Sequence, residues 1–175
     1  VASRDPSPSL SQLGEDPWPV AGRIVGIVVD HEGDLCDVEA ARQAVLGQDA
    51  LPLVIAAHGG VLDGGLVVQR TFLTGRSFEL DAVLLAGCPT PAPDAAPSTD
   101  AKAGAANSPT LDPRIALLLQ EAWRHAKSIG AWGAGASALE AAGIPDDGAG
   151  VVRGEDAGAV ANEVLTLLSA HRVWD

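Results

Sequence analysis

Three features of the sequence predict an α/β fold of three layers, an α/β/α sandwich around a mainly parallel sheet. Apolar, β-branched runs alternate along the chain with segments of helical spacing. The runs themselves, such as GRIVGIVVD and DAVLLAG, are apolar throughout, as strands covered on both faces are. Near the end, Ser128 to Ile144 (SIGAWGAGASALEAAGI) reads as a strand, a glycine turn and a helix. Composition agrees, because apolar residues make 47% of the chain and aromatic ones 3%, so the core is built from small aliphatic side chains that let helices approach a sheet closely.

Taken in order, residues 1–21 carry Pro6, Pro8, Pro17 and Pro19 among Ser, Gln and Asp with no sustained apolar period, and read as an extended linker. The ordered domain is expected over 22–175. Ile24, Val25, Ile27, Val28 and Val29 form the first strand; Asp34 is placed to cap the helix whose stripe is Leu35, Val38, Ala41, Val45 and Leu46, and Gly47 to end it. Leu51 to Ala57 is the second strand. Val61 to Gln69, with Asp63, Gly64 and Gly65 between Val/Leu pairs, signals a hairpin. Asp81 to Gly87 is a third long strand, followed by a long Pro/Ala-rich insert at about 89–110. Asp112 before Pro113 marks a helix start, with Ile115, Leu118, Leu119, Ala122 and Ala126 as its buried stripe. Ile129 to Trp132 and Val151–Val152 are strands flanking a helix at Ala136 to Ala142, and Val160, Val164, Leu167, Leu168 and His171 follow one face of a closing helix.

With 175 residues the chain suits one domain that needs no metal or disulfide staple. Its formal net charge of −12 opposes nucleic acid and anionic membrane as partners. The apolar runs fall far short of the roughly 20 residues that cross a bilayer. Cys36 and Cys88 lie far apart, and no apolar leader is evident, so a cytoplasmic protein with buried, inert thiols is expected. A chain beginning at Val1 and containing no Met reads as a piece or tail of a longer protein.

The strand-to-helix turn at the carboxyl edge of an open α/β sheet is where a reactive side chain is normally displayed. Here Gly133 stands at that tip and offers no nucleophile, leaving either a packing turn or a bare oxyanion pocket of backbone N–H groups. His31, His58, Cys36 and Cys88 each follow soon after a strand and could gather at that edge as zinc ligands or a redox pair, although only His31 and Cys36 are close in sequence. Asp146, Asp147, Glu155 and Asp156 lack the alternating spacing of a calcium loop and read as a solvated turn and a helix cap. GAGAS is no nucleotide fingerprint, since no acidic ribose partner follows. At the chain end, His171, Val173 and Trp174 either dock on another surface or close the domain itself.

The order GRIVGIVVD, DAVLLAGC, SIGAWGAGASALEAAGI resembles the ThiJ/PfpI family of class I glutamine-amidotransferase-like, flavodoxin-like folds, and SPSLSQL, AGRIVGIVV and the ending NEVLTLLSAHRVWD resemble the C-terminal extension of large-subunit haem catalases. The second resemblance implies a non-catalytic domain appended to a homotetrameric catalase. It would pack on the catalase core and neighbouring subunits, lend stability and assembly, and hold unfolded client proteins, with any exposed apolar surface between Trp132 and Trp174 serving that role. It also implies that haem, its distal His and Asn and its proximal Tyr lie upstream; the chain itself, with no tyrosine, cannot supply that ligand. In active ThiJ/PfpI members the elbow carries Cys, a helix-one Glu supports it and a His follows. Here those positions hold Gly133, a residue at or near Cys36, and no His between His125 and His171. The competing expectation is a stand-alone ThiJ/PfpI-type cysteine enzyme, or a redox or metal sensor, using Cys36 or Cys88 with His31 or His58 as base.

Overall fold

The apolar runs become strands and the periodic segments helices, in the order β1 (Ile24–Val29), α1 (Leu35–Leu46), β2 (Leu51–Ala56), β3 (Gly60–Val61), β4 (Val67–Val68), β5 (Arg70–Thr71), β6 (Ala82–Ala86), α2 (Pro113–Arg124), β7 (Ser128–Trp132), α3 (Gly135–Ala141), β8 (Val151–Gly154) and α4 (Ala157–Leu168). The structure, a computed structural model, describes residues 17–29, 35–87 and 111–174. Asp34, most of the segment read as a linker and the insert at about 89–110 lie outside the described residues.

One sheet has the order β5-β2-β1-β6-β7-β8, and every pairing in it is parallel. Setting aside the two-residue β5, its strands run in the doubly wound order, in which the direction of strand addition across the sheet switches between β1 and β6. The expected hairpin is β3–β4, antiparallel, around a 3₁₀ turn at Asp63–Gly65.

Successive side chains of a strand point to opposite faces, and this divides the core in two. On one face Val25, Ile27 and Val29 of β1 and Leu84 of β6 meet Val38, Ala41 and Val45 of α1 and Val160, Val164 and Leu168 of α4. On the other, Val28, Val83, Leu85 and Ile129 meet Ile115, Leu118 and Leu119 of α2 and Ala138 and Leu139 of α3. Gly130 in mid-β7 shows how near α4 lies: a Cβ there would come within 2.7 Å of Val160 Cγ1 and Val164 Cγ2.

Asp112 caps α2 as expected, accepting from Arg114 N at 2.9 Å, and Asp156 caps α4, accepting from Ala159 N at 2.6 Å. Several boundaries differ from the sequence reading. Leu46 is exposed and Gly47 is not left-handed; the residue with positive φ after α1 is Asp49. Ala126 is buried but lies beyond the end of α2, in a turn with φ 53°. Leu165 rather than Leu167 completes the buried stripe of α4, and that helix stops at Leu168, so His171 is not on its face.

Candidate functional site

At the carboxyl edge, β7 runs into Gly133 with φ +53°, and α3 begins two residues later without a side-chain cap. Its backbone therefore has the left-handed bend of a nucleophile elbow, a conformation that is strained for any residue bearing a Cβ. A Cβ on Gly133 would meet nothing within 4 Å, so there is room for a side chain at the tip and none is supplied. The helix is held close behind it: a Cβ on Gly135 would lie 2.8 Å from Leu85 O, and Arg153 of β8 donates Nη1 to Ala136 O at 3.2 Å while lying 2.7 Å from Asp146 Oδ1. Chemically this bend can present backbone N–H and C=O groups but no side-chain nucleophile at Gly133. The Asp146–Arg153 pair and the Asp156 cap give part of the acidic run the structural role expected of it.

Cys36 is exposed, contrary to the expectation of a buried thiol. The reason is helical geometry: at two residues before Val38 it points about 200° away from the stripe that α1 buries. It lines an open hollow of about 790 Å³ between α1 and the hairpin, together with Glu39, Arg42, Asp63, Leu66 and Gln69. His58 is exposed after β2. His31 and Cys88, the other members of the supposed carboxyl-edge cluster, lie outside the described residues. Among the described residues no group of three or more His, Cys, Asp or Glu is placed to hold a metal ion.

The opposite, amino edge of the sheet carries the denser polar network. Lys127, buried just before β7, donates Nζ to Ser77 O at 2.5 Å and Leu80 O at 2.6 Å, while Ser77 Oγ donates to Glu121 Oε2 at 2.6 Å. Burial, then the charge of Arg172, pulls the Lys127 ammonium below its ordinary range, with Asp81 and Glu121 opposing. Arg23, only 14% exposed in its side chain, lies 3.5 Å from Asp81 and donates Nη1 to His171 Nδ1 at 2.8 Å. Asp81 Oδ2 accepts from Ile24 N at 3.0 Å. Arg23, Asp81 and Lys127 carry no functional signal in the sequence, since each is a lone charge just ahead of a strand and no spacing links them.

After α4 the tail crosses this edge. Val173 N donates to Ala126 O at 2.8 Å, and Val173 Cβ fits 3.1 Å from where Gly150 would carry a Cβ. Trp174 is 73% exposed beside Trp123, and with Arg124, Ala126, Ala149 and Val173 these surround a hollow of about 230 Å³. Trp174 therefore does not close the core. Trp132 is buried at the carboxyl end of β7, the opposite end from the tail, so no apolar surface runs from Trp132 to Trp174; the aromatic exposed beside Trp174 is Trp123.

Comparison with known proteins bears on the second resemblance. The profile of the C-terminal domain found in long catalases matches residues 21–175. The chain belongs to that family. A curated relative, catalase HPII of Mycobacterium avium, is 29% identical to it over 143 residues, a match covering 79% of this chain. The same match covers 18% of the relative, so this catalase C-terminal domain corresponds to a small part of that protein's length.

Proposed function

We propose that this chain is the non-catalytic C-terminal domain of a longer haem catalase, whose other part disproportionates hydrogen peroxide, oxidising one molecule to oxygen while reducing another to water. The observation that carries the reading is the family match over 21–175 joined to a left-handed elbow with no side chain at Gly133. Catalase haem is bound through a tyrosine, and this sequence has none, so the residues here do not fit the haem and no step of the peroxide chemistry is routed through them. The domain's contribution is stability and assembly of the homotetramer. Trp174, Val173 and His171 are the contact surface toward the catalase core or a neighbouring subunit, because an exposed tryptophan beside a small hollow is the kind of anchor an interface buries. Client holding draws support from exposed Phe78, Val61 and Leu73, which offer apolar surface to an unfolded chain.

In the longer protein, removing residues 21–175 is expected to leave oxygen evolution per haem intact while shortening the half-life at elevated temperature and loosening the tetramer. An unchanged half-life and unchanged assembly would overturn the proposal. Suppression of light scattering by a heat-denatured client tests the holding role separately.

A further inference from the structure

We propose that His171 is a pH-sensitive latch that clips the carboxyl-terminal tail to the segment leading into the domain, holding Val173 and Trp174 in place when neutral and releasing them when protonated. An arginine can only donate, so Nδ1 of His171 must be an acceptor in its 2.8 Å bond with Arg23 Nη1, and the imidazole is neutral with its proton on Nε2. Protonating Nδ1 would replace that bond with two donors facing each other.

The groups around the ring reinforce this. Arg23 and Asp81 reach it from the lead-ins to β1 and β6, Arg172 from the tail itself, and the Trp18 ring lies at 5.5 Å. Lys127, ahead of β7, stands within electrostatic reach of Arg172 and Asp81. Partial desolvation of the ring, then repulsion from Arg172 and Arg23, lowers its proton affinity, and Asp81 offsets only part of that. The direction sets the pH window: a group that binds its proton less tightly when docked favours docking above its ordinary value of 6.5 and loses that contribution as pH falls through the lowered value.

The neighbouring contacts make this single bond consequential. Trp18 N donates to Ser169 O at 2.7 Å and Arg23 Nε to Pro19 O at 3.1 Å, so Arg23 holds the lead-in with one nitrogen and the tail with another. His171 itself has φ 67°, a conformation it adopts only while its surroundings impose it. Two residues on, Val173 N donates to Ala126 O. The latch concerns the two ends of this chain and holds whether or not Trp174 meets a partner.

Amide hydrogen exchange of Val173, corrected for its intrinsic pH dependence and measured alongside the His171 ring titration by NMR in the 175-residue chain, tests it. In the wild type, Val173 protection is expected to fall several-fold as His171 protonates, at a pH below 6.5. His171→Asn suits the left-handed backbone, presents a carbonyl oxygen to Arg23 and does not titrate; its protection is expected to stay level. Arg23→Gln should move the titration of His171 upward. Constant Val173 protection through the titration, an equal loss in His171→Asn, or an unmoved titration in Arg23→Gln would each overturn the latch.

Discussion

At the scale of single residues, Asp112 shows how burial and charge trade against each other. Burial alone would raise its carboxyl, but the hydrogen bonds from the Arg114 side chain and backbone, with the guanidinium charge, outweigh it and leave the group below its ordinary 3.8. A carboxyl lowered on folding adds stability above that ordinary value, and the contribution is lost as pH falls through the lowered one. Asp112→Ala removes the cap of α2 and strands Arg114, with an expected loss of about 1–2 kcal/mol at neutral pH and a smaller loss in acid, read from urea melts at both. Gly133→Ala meets no neighbouring atom, so its cost is conformational only, about 1–2 kcal/mol for a Cβ in the left-handed region. A larger loss would mean the bend is packed more tightly than its open surroundings indicate.

Elements were legible where one kind of signal dominated. The apolar runs of β1, β2 and β6, the Asp112–Pro113 start of α2 and the glycine hairpin were all readable, because β1 and β6 are covered on both faces, β2 is buried over its second half, and the cap of α2 is side-chain chemistry. The two-residue β5 and the 3₁₀ turn at Ser77–Glu79 were not, since they are held by contacts distant in sequence: Lys127 for the turn, β2 for the strand. Likewise the glycine turn after β7 was visible in Gly133, whereas the Arg23–Asp81–His171 network joins residues that only the fold brings together. Two substitutions test these elements. Lys127→Met leaves the Leu80 carbonyl without its side-chain donor, whereas Ser77 O keeps the Leu80 N–H at 3.1 Å, so the expected loss is about 1–3 kcal/mol for the one buried acceptor left unpaired. Gly130→Ala drives a methyl into α4 and costs about 1–3 kcal/mol by overpacking. Thermal melts check both, and a neutral Gly130→Ala would show that α4 can move away from β7.

For the whole molecule, the two edges of the sheet differ in what they carry. The carboxyl edge, where ligands of doubly wound sheets bind, carries the left-handed turn at Gly133 with no side chain at its tip. The amino edge gathers the buried lysine, the Arg23 network, the lead-in and the tail with its exposed tryptophan. Such a division agrees with the proposed role of a domain that attaches and stabilises without chemistry of its own, since fold alone carries no activity. The most direct test of that claim is turnover by the 175-residue chain itself, assayed for oxygen release from hydrogen peroxide and for thiol-dependent hydrolysis. Neither rate is expected to exceed that of buffer; steady turnover that disappears in Cys36→Ser or Cys88→Ser would overturn the non-catalytic reading.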